Sequence, residues 1–208
     1  MQDQAYFVAP PSGGGRGVLL LPAWWGLTRE VRRRADQISD EGFVVLAPDM
    51  ALGERPSTES EAETALSEAD PNRLASLVIS AAGLLEEKSD PGPIGVVGYG
   101  MGGSMGLWLS VRQPSLVTAV VSFYGTQVID FTGAKADYQI HLAESDRFID
   151  DDEAAFMEAT MGLESLHVTV HTYPGTRHGF ADPESPAYDE EAATRAFARG
   201  MEFLRARL

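Results

Sequence analysis

Short apolar runs bounded by glycine and proline alternate with longer amphipathic stretches along the whole 208-residue chain, and nothing else constrains its fold as strongly. Tyr6–Ala9 and Val18–Leu21 read as two strands joined by the turn Pro10-Pro11-Ser12-Gly13-Gly14-Gly15. Phe43–Ala47 and Ile94–Val97 are continuous apolar runs of the type buried on both faces of a parallel sheet. Val117–Phe123, Tyr138–Ala143 and His167–Tyr173 read as further strands. Helix-length stretches separate them. One has Thr28 as N-cap, Val31, Ala35 and Ile38 on one face, and an end at Gly42. Residues 57–88 predict a helix in two pieces, broken near Asp70-Pro71, and others follow from Gly103 to about Gln113, over 151–162 and over 187–207. This order predicts an α/β fold: a mostly parallel sheet of about seven or eight strands with helices on both faces. With no internal repeat and no linker, residues 1–208 are expected to form a single domain. Function in such a sheet sits in loops beyond the carboxyl ends of the strands.

Composition narrows the chemistry. The chain has no cysteine, which removes disulfides, thiolate metal sites and any thiol nucleophile. Its 31 acidic against 16 basic residues, a formal charge of −15, argue against nucleic acid or an anionic membrane as partner. The start, MQDQAYFV, lacks the basic and apolar regions of a signal peptide, and the apolar run Val18–Trp25 is short and broken by Pro22. A cytoplasmic protein, monomeric or homodimeric, is the expectation.

The turn Gly98-Tyr99-Gly100-Met101-Gly102-Gly103 follows a strand and opens a helix. It fits the dinucleotide pattern G-x-G-x-x-G, but no acid stands at the end of the next strand to hold a ribose, and 90 residues of fold precede it. It also fits a nucleophile elbow, G-x-Nu-x-G, in which Gly98 and Gly102 let a sharp strand-to-helix turn close. The nucleophile position is then Gly100. An elbow calls for an acid and a histidine later in the chain. Asp146 follows the strand Tyr138–Ala143, and His178 lies in the loop Pro174-Gly175-Thr176-Arg177-His178-Gly179-Phe180 after the last strand.

With these residues in view, the chain resembles the dienelactone hydrolase family of α/β-hydrolases over nearly its whole length. The likeness is carried by Leu21-Pro22-Ala23-Trp24-Trp25-Gly26, Gly42-Phe43-Val44-Val45-Leu46-Ala47-Pro48-Asp49 and the elbow segment Gly95–Gly103. It continues in Val121-Ser122-Phe123-Tyr124-Gly125, Asp146-Arg147-Phe148, Tyr173-Pro174-Gly175 through His178-Gly179-Phe180, and the closing Phe203-Leu204. The resemblance implies an α/β-hydrolase fold, no cofactor or metal, a small ester or lactone-like ligand, Asp146 and His178 as acid and base, and an oxyanion hole from the N–H groups of Met101 and Trp24. It makes Ala23, Trp25, Tyr99 and Asp182 pocket residues.

Three positions depart from the family. Cysteine, sometimes serine, is usual where this chain has Gly100; a glutamate is common at the position of Ala23; and Asp182 stands where the prototype has an arginine that binds a substrate carboxylate. An anionic dienelactone is therefore not the expected substrate. Acyl-enzyme chemistry needs a side chain at position 100. Two readings stay open: carboxylic ester hydrolysis by a water that His178 and Asp146 activate, or a catalytically inactive protein, natural or engineered, that binds a small neutral ligand in the inherited pocket. The paired change at Ala23 favours natural drift. Ser104, about one helical turn from the elbow, reads as a capping or packing residue. Asp150, Asp151 and Asp152 read as a helix start; Glu59, Glu61, Glu63 and Glu68 as a solvated face; His167 and His171 as sheet residues.

Overall fold

The computed structural model describes residues 4–208; Met1, Gln2 and Asp3 of the N-terminal segment lie outside the described residues. Strands β1 (Ala5–Val8), β2 (Gly17–Leu21), β3 (Val44–Pro48), β4 (Ile94–Tyr99), β5 (Val117–Phe123), β6 (Asp137–Ser145) and β7 (Val168–Arg177) form one sheet in the order β1-β3-β2-β4-β5-β6-β7. All neighbours are parallel except β1, which runs antiparallel to β3. The loop after β1 is thus no hairpin: β3 lies between β1 and β2. The expected sheet is found, with seven strands.

The helices are α1 (Arg29–Asp40), α2 (Glu59–Glu68), α3 (Pro71–Lys88), α4 (Met101–Arg112), α5 (Asp151–Leu163) and α6 (Glu190–Arg205); α4 opens at Gly100 with no side-chain cap, and short polar side chains cap the others. Thr28 accepts the N–H of Val31 at 3.3 Å, Asp70 that of Asn72 at 2.9 Å with Pro71 at the first helical position, and Asp150 that of Asp152 at 2.9 Å. The acidic run at 150–152 is a helix start, as its composition suggests. The acids of α2 are less uniform: Glu61 accepts the N–H and hydroxyl of Ser57 at 2.7 and 2.8 Å, while Glu59 pairs with Arg147 of the loop after β6.

Because β2 is buried on both faces, its alternate side chains feed two cores. Val18 and Leu20 join Ala35 and Ile38 of α1 and Ala193, Ala196 and Leu204 of α6. Leu19 and Leu21 join Val78 and Leu85 of α3, Leu107 of α4 and Met157 of α5. So α1 and α6 cover one face, and α3, α4 and α5 the other. The strand order reverses between β2 and β4, whose following helices, α1 and α4, leave to opposite faces. That divergence opens a crevice at the carboxyl ends of β2 and β4, the position where open α/β sheets bind ligands. Among the described residues, no helix is long and apolar enough to cross a membrane.

Candidate active site

The chain turns from β4 into α4 at Gly100, held at φ +53° and ψ −120°. The two flanking glycines are steric requirements. A Cβ at Gly98 would lie 2.3 Å from the Gly102 carbonyl oxygen, and one at Gly102 would lie 2.0 Å from the Leu21 carbonyl oxygen. Gly100 differs. A Cβ built there meets only ordinary contacts, His178 Nε2 at 3.6 Å and Ala23 Cβ at 3.8 Å. The turn therefore keeps room for a side chain that the sequence does not supply, and that room faces an imidazole nitrogen.

The other nitrogen of His178 is held from behind. Nδ1 lies 2.7 Å from Asp146 Oδ2 and 3.0 Å from Oδ1, and Oδ1 also accepts the Phe148 N–H at 2.9 Å. An acceptor-only carboxylate at Nδ1 requires the proton on that nitrogen, so Nε2 presents a lone pair toward Gly100. Asp146 is 7% exposed and His178 25%, leaving the imidazole open to the cavity and its partner shielded. Two rings fix the imidazole plane, Phe148 edge-on at 4.7 Å between centroids and Tyr124 tilted at 4.8 Å. Tyr124 has φ +40°, a left-handed backbone that a bulky residue adopts at a cost of about 1–3 kcal/mol. Its N–H bonds the His141 carbonyl at 2.7 Å, while the Phe123 carbonyl before it accepts the Gly100 N–H at 2.9 Å. One strained corner after β5 thus ties down both the elbow and the ring against His178.

A cavity of about 1100 Å³ opens over this constellation. Ala23, Trp24, Trp25, Tyr99, Gly100, Met101, His178 and Asp182 all line it, so the structure brings these sequence-predicted residues together. Asp146 stands behind His178. Trp24 packs edge-on against Phe148, with centroids 5.5 Å apart, and against Trp25 at 6.0 Å; both indoles are wall. Among the described residues, the N–H of Met101, at the start of α4, and that of Trp24 take no backbone acceptor, and both residues line the cavity. Ser104 also lines the cavity and has no capping role; its N–H closes the first α4 hydrogen bond onto the Gly100 carbonyl at 3.1 Å. Burial is the main reason Asp182 has a carboxyl pKa above the ordinary value.

Sequence reading missed several residues here. Arg34 reaches the cavity from α1, and Arg55 and Arg147 from loops on its rim. Arg55 is paired with the buried Asp49 at 3.0 Å. Arg147 belongs to the Asp146-Arg147-Phe148 segment, but nothing in the local sequence marks Arg34 or Arg55, because they meet the site only through the crossovers. His141 was also missed. It is fully buried in β6, its Nδ1 2.7 Å from the Tyr173 hydroxyl and its Nε2 3.0 Å from Gln139 Oε1. With Gln139 accepting, Nε2 carries the proton and Tyr173 donates to Nδ1. Burial drives its pKa down to about 3. His171 stacks on it at 5.3 Å, whereas His167 is exposed just before β7, so the two are not an equivalent pair.

The family model described as the dienelactone hydrolase family matches residues 4–208. The chain is 28% identical to "Protein usf" of Aquifex pyrophilus, over 96% of this chain and 91% of that one. It is 26% identical to a "Putative carboxymethylenebutenolidase" of Aquifex aeolicus, with the same coverage. Among solved structures, a putative dienelactone hydrolase from Klebsiella pneumoniae superposes with a TM-score of 0.84 at 17% identity, covering 97% of this chain and 92% of that one. A dienelactone hydrolase-like promiscuous phosphotriesterase from metagenomic libraries gives 0.84 at 20% identity, covering 98% and 92%. These structures share the fold, and the match over residues 4–208 decides the lineage: the chain belongs to the dienelactone hydrolase family.

Proposed function

We propose that the protein binds a small, neutral ester or lactone in this cavity and hydrolyses it with water in place of a side-chain nucleophile. The observation that carries the reading is the room at Gly100, where a Cβ would stand 3.6 Å from His178 Nε2 while Asp146 orients the ring from Nδ1. A water in that room donates a hydrogen bond to Nε2. As its oxygen attacks the carbonyl carbon, His178 takes the proton, and Asp146 steadies the imidazolium. The carbonyl oxygen becomes an oxyanion that accepts the N–H groups of Met101 and Trp24. Collapse breaks the bond to the alkoxy oxygen, which leaves with the proton from Nε2. Acid and alcohol are the products, and no covalent enzyme intermediate forms.

Water in this arrangement lacks the fixed orientation of a bonded nucleophile, so turnover is expected to be slow. In a serine protease, loss of a triad member costs about 10⁶-fold in kcat and leaves roughly 10³–10⁴ over water. The unmodified protein should hydrolyse simple aryl esters slowly, and His178→Ala should remove that activity. Equal rates in the two proteins would contradict the reading. A second reading is favoured by the glycine itself, which relieves the strain of the elbow while deleting the nucleophile: the chain binds the ligand without turning it over. Saturable binding with no hydrolysis would select that one.

A further inference from the structure

Four aromatic rings stand in series along one side of the cavity, and all four line it. Phe148 meets His178 edge-on at 4.7 Å between centroids, Trp24 meets Phe148 at 5.5 Å, and Trp25 meets Trp24 at 6.0 Å. The series borders the room at Gly100 twice: His178 Nε2 and the Cβ of Ala23, the residue before Trp24, lie 3.6 and 3.8 Å from a Cβ built there. Its rings are open to a ligand. Phe148 is 39% exposed and the two indoles are half-buried, whereas Tyr124, the other ring against His178, is only 3% exposed. A phenylalanine that open beside a cavity is apolar surface that a ligand can remove from water.

The charge over this wall is already matched. The Arg147 guanidinium sits over the Phe148 ring, 4.5 Å from its centroid, and is paired with Glu59 of α2. A neutral group therefore fits beside the rings. Among neutral groups an aromatic ring gains most, because it adds an edge-to-face or offset contact to rings already arranged that way. That gain comes on top of the area which any hydrocarbon of its size would bury.

In the hydrolytic reading the carbonyl oxygen turns to the Met101 and Trp24 N–H groups, and the alkoxy oxygen takes the proton from His178 Nε2. The alcohol portion then departs beside the imidazole, where Phe148 is the open ring. We propose that Trp24, Trp25 and Phe148 form a specificity subsite for an aromatic ring on the alcohol side of the substrate. The proposal rests on the hydrolytic reading of this cavity, and it narrows the substrate class to esters of aromatic alcohols.

Amides in place of the scissile ester test it without requiring turnover. N-benzylacetamide carries its ring where the alcohol portion of an ester would lie, and its isomer N-methyl-2-phenylacetamide carries the same ring on the acyl side. N-(cyclohexylmethyl)acetamide replaces the ring with a saturated one. Two of the chain's three tryptophans stand in the wall, so tryptophan fluorescence follows the titrations. The unmodified protein should bind N-benzylacetamide about fivefold tighter than either of the other two. Phe148→Leu, at an exposed position, should bring the benzyl-to-cyclohexylmethyl ratio near one. Should that variant fail to fold, the three amides on the unmodified protein decide alone. The proposal is overturned if no amide binds, if the isomer or the saturated amide binds as tightly as N-benzylacetamide, or if Phe148→Leu folds and keeps the ratio. Benzyl acetate and methyl phenylacetate, again isomers, separate it from the reading beneath it. Ring-selective amide binding without hydrolysis of either ester would leave the subsite standing and remove the hydrolytic reading. His178-dependent hydrolysis that accelerates both esters equally over water, with no ring-selective binding, would do the reverse.

Discussion

Gly100 has room for a side chain but a backbone that only glycine adopts easily, and the two facts act on stability in a definite way. At φ +53° any L-residue is strained, yet its Cβ would meet nothing closer than 3.6 Å. Gly100→Ala should therefore lower stability by about 1–3 kcal/mol, all from the backbone. Urea denaturation checks this; a much larger loss would mean that the room is not there. Gly98→Ala and Gly102→Ala should behave quite differently, because their Cβ atoms would sit within 2.3 Å and 2.0 Å of backbone oxygens that cannot move independently. Failure to fold, or a loss above about 4 kcal/mol, is the expected outcome. The glycine pattern was legible in the sequence as an elbow, since the spacing itself encodes the steric need. The strain at Tyr124 was not, because an unusual φ at a tyrosine has no compositional mark and is imposed by the neighbours that bond its backbone.

At the scale of elements, Tyr99, Phe123, His141 and His171 occupy matched positions on β4, β5, β6 and β7 and stack in sequence at 4.5, 4.6 and 5.3 Å. This ladder links the strand that ends at the elbow to the strand that leads to His178, and it makes stability depend on acid. His141 stays neutral in the folded chain down to about pH 3, whereas in the unfolded chain it binds a proton below its ordinary 6.5. Between those values the unfolded state holds more protons, so stability falls as the pH drops from 6.5 toward 3. The contribution at stake is on the order of 5 kcal/mol. His171, also shifted down by burial, acts in the same direction. His141→Phe should be less stable at neutral pH, where Tyr173 and Gln139 lose their partner, yet its stability should vary less steeply across that window. Melting curves at a series of pH values measure the slope; an unchanged slope would sink the assignment. The elements were largely readable from the chain: the cap Thr28 and the break near Asp70-Pro71 stand where local chemistry puts them. The insertion of β3 between β1 and β2 was not readable, because strand neighbours are chosen by crossovers and not by local pattern.

For the whole molecule, a formal charge of −15 on 208 residues makes the folded state repel itself. Screening should relieve this, so the melting temperature should rise as salt is raised from about 0.01 M to 0.15 M, where the Debye length falls from about 30 Å to 8 Å. A fall would mean that surface pairs such as Glu59–Arg147, which joins α2 to the loop bearing Asp146, outweigh the net repulsion. The family and the sheet were visible in motifs spread over the chain. The electrostatic character of the cavity was only partly so: Asp182 stood out by its position, but Arg34 comes beside its loop, at the Ala181 carbonyl, only once α1 is laid against the segment after His178.

The central claim is that the site around position 100 is a working hydrolytic site in which only the side chain is missing. Restoring it is the direct measurement: Gly100→Cys, incubated with an aryl ester, followed by intact-protein mass spectrometry and by release of the alcohol. The account predicts an acyl adduct on residue 100 and turnover about 10³-fold or more above the unmodified protein, both lost when His178→Ala is added. A folded Gly100→Cys protein that forms no adduct, or acylates equally without His178, would contradict it.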